Sequence, residues 1–118
     1  MYAALRSPLA GPYPDLHLFP ILLPAAPAGR QPPPAGYALV ASVVAPDSRG
    51  TVQLATADPQ MAPVINPGFL RDGRDLDRLK AGLVLIRQAT ASLASFSQVR
   101  AAEAHPGPGI TTSAGLRA

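Results

Sequence analysis

Few residues of this chain are of the types that do acid–base, nucleophilic or metal chemistry. It contains two histidines, His17 and His105, one glutamate, Glu103, and no cysteine. The lack of cysteine excludes disulfides, thiolate metal sites and cysteine nucleophiles, and no histidine–aspartate spacing indicates a metal site. Ser48 lacks the Gly-x-Ser-x-Gly elbow of a hydrolase nucleophile, and neither phosphate-binding glycine pattern is present. The sequence therefore predicts no catalytic residue and no metal ligand.

Charged residues are densest between positions 71 and 80, where seven of ten residues carry a charge. Acidic and basic side chains are interleaved there, so the simplest interpretation is a solvated helix start with local ion pairs. The nine arginines are scattered from Arg6 to Arg117, and Lys80 is the single lysine. Although the net charge is +3, this scatter and the lack of tryptophan argue against nucleic-acid binding.

The backbone elements that must position any site are separated by proline. Nine of the fifteen prolines lie in the first 34 residues, and none falls between Gly68 and His105. Extended segments and loops are therefore expected early in the chain, and a long helix only later. Residues 25–36, with three consecutive prolines, predict an exposed loop.

Three short segments have the composition of β-strands, namely residues 15–23, 36–44 and 51–56. In the first of them, Pro20 requires a bulge or an edge position because it cannot donate a hydrogen bond to a neighbouring strand. The second and third are joined by a proline-, aspartate- and glycine-containing connection at 46–50, which predicts an antiparallel hairpin.

One long helix is predicted from about residue 75 to the middle 90s. Its apolar residues recur every three or four positions, with a gap at Thr90: Leu76, Leu79, Leu83, Ile86, Leu93 and Phe96. Asp72 is a suitable N-cap, with Asp75 three residues on. Gly82 on the apolar side indicates a close approach to the sheet. The predicted fold is therefore α+β: a partial antiparallel sheet of about three strands backed by one long helix.

The location of the protein is predicted from two further features of the chain. No apolar run approaches the 20 residues of a membrane-spanning helix. The N-terminus shows no basic region followed by an apolar one, so no export signal is visible. We expect a cytoplasmic location and no contact with a membrane.

An ordered series of short motifs runs through the chain. They are Pro14 to Phe19, Pro46-x-Ser48-Arg49-Gly50, Asp58-Pro59, Pro63-x-Ile65, Phe69-Leu70, an aspartate-rich helix start and Glu103-x-x-Pro106-Gly107. In this order, the series resembles a segment of the glucose–methanol–choline (GMC) oxidoreductases, in particular the C-terminal substrate-binding domain of choline dehydrogenase-like members. The resemblance covers about residues 14–116.

The resemblance implies an FAD-dependent enzyme that oxidises CH–OH groups of an alcohol and passes hydride to flavin. It divides the chain into an irregular segment, 1–13, and a partial substrate-binding domain, 14–118. In the family, the sheet of this domain roofs the flavin ring. The family's dinucleotide fingerprint and its catalytic His-Pro-x-Gly-Thr segment are both missing. We therefore expect this chain alone to be inactive and not to bind FAD.

The resemblance also implies partners and site residues. The partners would be a small alcohol and the missing FAD-binding domain, either of the same polypeptide or in trans. His17 and Phe19 are candidates for the wall of the substrate cavity, although a half-buried or surface histidine without such a role is the plainer interpretation of His17. The residues of the motif, Pro46, Ser48, Arg49 and Gly50, are expected to hold a hairpin in place.

A non-enzymatic alternative stays open: a free-standing binding module or the remnant of a truncated gene. The two interpretations differ in whether the chain is stable alone. Strands that pair with missing strands would leave exposed edges and an uncovered helix face, and so would make the chain prone to aggregation. A sharp cooperative melt of a monomer would favour an independent module.

Overall fold

The computed structural model describes residues 2–21, 37–92 and 103–117. Within these ranges the chain forms five strands and two helices. They are β1 (Ala3–Leu5), β2 (Leu16–Ile21), β3 (Ala38–Val43), β4 (Thr51–Gln53), β5 (Val64–Asn66), α1 (Gly73–Ser92) and α2 (Ser113–Arg117). The predicted loop at 25–36 and the predicted helix residues Leu93 and Phe96 lie outside the described ranges.

The larger sheet is antiparallel with the strand order β1-β2-β3. β2 pairs along its whole length with β3, from Leu16 opposite Val43 to Ile21 opposite Ala38. β1 pairs with the first half of β2 only. The expectation of an irregular segment at 1–13 therefore needs correction, because Ala3–Leu5 within it is a strand of this sheet.

Pro20 lies within the central strand of this sheet, in a regular register opposite Leu39. The pairing with β1 ends at Leu18. No described strand pairs with β2 on that side at Pro20, so Pro20 occupies an edge position there and the strand needs no bulge.

The predicted hairpin between the second and third segments is wrong. β3 pairs with β2, whereas β4 pairs with β5 in a separate two-stranded sheet. The physical reason lies in the connection at 46–50, whose backbone amides are held by a carboxylate of α1 instead of closing a turn. β5 is a strand that the sequence did not predict.

α1 packs on one face of the larger sheet and confirms the predicted long helix. Asp72 caps it as expected, because its Oδ1 accepts a hydrogen bond from the amide of Arg74 at 2.9 Å. The predicted close approach at Gly82 is also confirmed. A Cβ at that position would lie 2.7 Å from the Cβ of Ala41 and 3.7 Å from the Leu16 side chain.

The apolar core under α1 is small. Among the described residues, Leu16 and Leu76 are the buried apolar side chains. An open apolar groove of about 300 Å³ lies beside them, lined by residues that include Leu39, Leu79 and Leu83. The radius of gyration is 17.4 Å, against about 13.5 Å for a compact domain of this length. The fold class is thus confirmed as α+β, with a three-stranded sheet backed by a helix and much of its apolar surface uncovered.

Candidate functional site

A cluster of three buried charges and one half-buried charge joins the sheet to the N-terminal end of α1. It consists of Asp15, Asp47, Asp75 and Arg78, and is called here the ion cluster. The Arg78 Nε donates to Asp15 Oδ2 at 3.1 Å, and its Nη1 donates to Asp75 Oδ1 at 3.0 Å and to a carboxylate oxygen of Asp47. Asp75 is 2% exposed and Arg78 is 8% exposed. One guanidinium therefore neutralises part of the charge of three carboxylates.

Asp75 also accepts hydrogen bonds from the backbone of the 46–50 connection. Its Oδ1 accepts from the amide of Asp47 at 2.8 Å, and its Oδ2 accepts from the amide of Ser48 at 2.9 Å. Burial alone would raise the pKa of Asp75. Hydrogen bonds from the Ser48 hydroxyl, from both amides and from Arg78 outweigh burial and lower the pKa to about 2. Asp75 is therefore an ionised anchor and not a proton donor or acceptor near neutral pH.

Asp15 is bound in the same manner by the N-terminal segment. The Ser7 amide donates to its Oδ1 at 2.7 Å and the Ser7 hydroxyl to its Oδ2 at 2.6 Å. Burial raises the pKa of Asp15, but the bonds from Ser7 and the charge of Arg78 bring it below its usual value. The cluster thus connects the segment before β2, the corner after β3 and the start of α1.

The interpretation of residues 71–80 as a solvated helix start is wrong for Asp75 and Arg78. It is correct for Asp77 and Lys80, which form an exposed pair at 3.5 Å. The sequence did indicate that Asp75 is buried. It stands four positions before Leu79, so it lies on the same face of the helix as the apolar residues. Nothing in the sequence marked Asp15 as a partner of Arg78, or Ser7 as a partner of Asp15.

The motif Pro46-x-Ser48-Arg49-Gly50 lies at the corner between β3 and β4. The Ser48 Oγ accepts a hydrogen bond from the amide of Asp72 at 3.0 Å, just before α1. Arg49 Nη1 donates to the carbonyls of Pro46 at 2.6 Å and Ser48 at 3.0 Å. A Cβ on Gly50 would lie 2.2 Å from the carbonyl oxygen of Asn66. Glycine is needed there because two backbone segments cross, and the contacts of all four motif residues are internal ones.

The Glu103-x-x-Pro106-Gly107 element is fixed to α1 by Arg87. The Arg87 Nε and Nη2 donate to the two carboxylate oxygens of Glu103 at 3.0 and 2.8 Å. The same guanidinium also donates to the carbonyls of Gly107 and Ile110. This bidentate pair with two additional acceptors holds the segment before α2 against the helix.

His17 and Phe19, the two predicted wall residues, lie on the same face of β2. Because Leu16 and Ala41 contact α1, alternation along the strands places His17 and Phe19 on the opposite face, called here the outer face. The His17 ring lies beside that of Tyr2, with ring centroids 5.1 Å apart. No other described helix or strand packs against this face. A role for either residue in substrate binding stays a prediction.

The described residues offer no cradle for a dinucleotide. A pyrophosphate would be expected at a helix N-terminus, and the N-terminus of α1 already carries the side chains of Asp72 and Asp75. In the described ranges no group of histidine and acidic residues could hold a metal ion. No described helix is long and apolar enough to cross a membrane. The ion cluster supports the fold through the bonds among its own residues and the backbone. The outer face, which carries the two predicted wall residues, is the candidate surface for a ligand.

Comparison with known proteins assigns this arrangement to a family. A family model described as GMC oxidoreductase, covering its C-terminal domain, matches residues 46–116, more than half of the chain. The chain belongs to the GMC oxidoreductase family, and the resemblance stated from the sequence is confirmed at that level. A choline dehydrogenase-like subtype stays a prediction.

The chain is similar to a small part of much longer relatives. A glucose-methanol-choline family oxidoreductase of Annulohypoxylon moriforme is 39% identical over 74 residues, which make up 63% of this chain and 12% of that protein. An alcohol dehydrogenase (acceptor) of Pseudomonas putida is 34% identical over 77 residues, 65% of this chain and 14% of that protein. The chain thus spans about an eighth of the length of these relatives.

The fold itself is matched in a solved structure. The crystal structure of pyridoxine 4-oxidase from Mesorbium loti superposes with a TM-score of 0.80 at 24% identity, covering 98% of this chain and 23% of the other. At this identity the match concerns the fold alone. It shows that this chain shares the fold of a part of that longer chain.

Proposed function

We propose that this chain is the substrate-binding segment of an FAD-dependent GMC oxidoreductase that acts on the CH–OH group of an alcohol. The observation that carries the proposal is the family match over residues 46–116. The small share of the relatives that is covered, 12% to 14%, supports the view that the flavin-binding part is supplied elsewhere. That part would be another region of the same polypeptide or a separate chain.

The outer face supplies one wall of the substrate cavity in this proposal. His17 and Phe19 point away from α1, toward the side on which the flavin-binding part would lie. FAD, when bound, would accept the hydride, and the residues of this segment would bind and orient the alcohol and exclude water. The ion cluster and the Arg87–Glu103 pair act at a distance from the alcohol. The ion cluster fixes the sheet to α1, and the Arg87–Glu103 pair fixes the segment before α2 to the same helix.

The chain alone should neither bind FAD nor oxidise alcohols. The dipole of α1 is already matched by Asp72 and Asp75, so the described residues lack the anion site that a pyrophosphate needs. Purification of the 118-residue chain from cells grown with added riboflavin, followed by its absorption spectrum, tests this expectation. A flavin that co-purifies in stoichiometric amount would contradict it.

The proposal as a whole is tested by reading the coding sequence on both sides of this segment. We expect a Gly-x-Gly-x-x-Gly fingerprint upstream and a His-Pro-x-Gly segment downstream. Stop codons and unrelated sequence on both sides, with no separately encoded flavin domain that binds the chain, would refute the enzymatic role. The chain would then be a free-standing module or a gene remnant.

A further inference from the structure

We propose that the outer face selects an uncharged alcohol with an aromatic or other apolar body, over polyols and over alcohols that carry a quaternary ammonium group. The inference rests on the proposed function, in which this face is a wall of the substrate cavity. It adds the class of alcohol and two residues, Tyr2 and Ser42, that the sequence did not single out.

The composition of the outer face follows from the strand registers. Phe19 stands opposite Val40, Ile21 opposite Ala38, and His17 opposite both Ala4 and Ser42. Successive side chains of a strand point to opposite faces, and directly opposite residues share a face. The strand positions of this face are therefore Ala4, His17, Phe19, Ile21, Ala38, Val40 and Ser42. None of them is an acidic or basic residue apart from His17.

At the described positions of this face, the side chains that can form hydrogen bonds are His17, Ser42 and Tyr2, and the Tyr2 ring lies beside His17. His17 and Ser42 are cross-strand partners, and such partners have Cβ atoms about 5 Å apart. Together they can form hydrogen bonds with one hydroxyl or similar polar group of a ligand. Phe19 and Val40, the next cross-strand pair, offer apolar contact only, and the Tyr2 ring extends the aromatic surface next to His17.

A polyol does not fit this distribution of polar groups. Each hydroxyl that is buried against Phe19, Val40 or Ile21 would lose its bonds to water without a replacement. An apolar pocket rejects an added hydroxyl by about 100-fold, so we expect a polyol to be disfavoured by at least about that factor.

A quaternary ammonium alcohol lacks a counter-charge on this face. Four aspartates belong to or adjoin the ion cluster at the end of the sheet and the start of α1, namely Asp15, Asp47, Asp72 and Asp75. The two other aspartates, Asp58 and Asp77, are exposed on the loop after β4 and on α1, and the single glutamate, Glu103, is paired with Arg87 of α1. An aromatic cage could replace a carboxylate, but at the described positions of this face the aromatic rings beside His17 are those of Tyr2 and Phe19, and they line one side of a ligand without enclosing it.

The inference is tested with the polypeptide expressed at its full coding length. Values of kcat/KM are measured for benzyl alcohol, glucose and choline, and we expect benzyl alcohol to exceed each of the others by about 100-fold. Dissociation constants for the same three alcohols, measured after the flavin has been reduced so that no turnover occurs, provide a second readout. Glucose or choline preferred in either measurement would overturn the inference.

Matched variants locate the selectivity on the outer face. Val40→Asp places a carboxylate there and should raise the ratio of choline to benzyl alcohol by at least about tenfold, while Val40→Ser should raise the ratio of glucose to benzyl alcohol. Val84→Asp and Val84→Ser on α1, where Val84 is half-exposed at 50%, are the controls and should leave both ratios unchanged. Equal changes at the two positions would refute the assignment.

Flavin content separates this inference from the proposed function. Bound flavin and oxidation of any alcohol uphold the proposed function whatever the order of substrates. A full-length polypeptide without flavin or alcohol oxidation would refute both. If a Val40 variant loses its flavin, Val40→Thr replaces it in the comparison, because threonine is closer in shape to valine. The same rise in the ratio of glucose to benzyl alcohol is expected for this variant.

Discussion

Replacement of Arg78 by methionine tests whether the ion cluster supports the fold. Methionine has about the length of the arginine stem but removes the cation shared by Asp15, Asp47 and Asp75. Breaking a buried ion pair by removing one partner costs about 3–5 kcal/mol, because the remaining charge is left uncompensated. Asp15 and Asp75 keep their hydrogen bonds from Ser7 and the backbone amides. We therefore expect a loss near the lower end of this range, about 3 kcal/mol of the free energy of unfolding.

The measurement is urea unfolding of the purified chain, followed by the helical circular dichroism signal in dilute solution. A domain has a free energy of unfolding of about 5–15 kcal/mol, so the loss would shift the midpoint strongly or abolish the helical signal. Arg74→Met is the matched control. Its side chain is 60% exposed and its pairs with Asp47 and Asp72 lie at the surface, so it should lose less than about 1 kcal/mol.

The pH dependence of the same variant gives a second check. Arg78 is one of the groups that lower the pKa of Asp15 and Asp75, so without it both pKa values lie higher than in the unchanged chain. A carboxyl whose folded-state pKa lies below the unfolded value near 4 stabilises the fold, and this stabilisation is lost as the pH falls through the folded-state pKa. The difference between Arg78→Met and the unchanged chain should therefore shrink as the pH falls below about 4. If Arg78→Met loses no more stability than Arg74→Met at neutral pH, the cluster is not a support of the fold.

Three further predictions concern the helix and its attachments. Gly82→Ala should lower the free energy of unfolding by about 1–3 kcal/mol, because a Cβ would meet Ala41 at 2.7 Å. Gly73→Ala should not lower it, because a Cβ at that position would have no atom within 4 Å. Urea unfolding of both variants tests this, and an equal loss of stability in the two would contradict the prediction. Arg87→Gln should release the segment at 103–110, seen as faster proteolytic cleavage there, and an unchanged cleavage pattern would count against the attachment. The pKa of Asp75 is lowered from 3.8 to about 2, which adds about 2 kcal/mol to the free energy of unfolding above pH 4. This contribution is lost as the pH falls through 2. Asp75→Asn should flatten this dependence, and an equally steep loss in that variant would refute it.

Much of the local structure could be predicted from the sequence. The spacing of Leu76, Leu79 and Leu83 predicts α1, since a period of 3.6 is a property of the chain itself. The position of Gly82 on the apolar side indicates the close contact with the sheet. The strands at Leu16–Ile21 and Ala38–Val43 follow from composition and flanking prolines. The order of the motifs also identified the family, because it reflects the sequence of relatives and needs no coordinates.

What the tertiary structure alone decided is how distant segments meet. Arg78 and Asp15 are 63 positions apart, and no local periodicity links them. The pairing of β3 with β2, and of β4 with β5, depended on the same long-range contacts, because the amides at 47 and 48 bind Asp75 and so prevent a hairpin turn. The outer face with His17, Phe19 and Ser42 exists only once the register of two strands is set. Propensity and periodicity act over a few residues, whereas strand partners and buried ion pairs are chosen by the free energy of the whole fold.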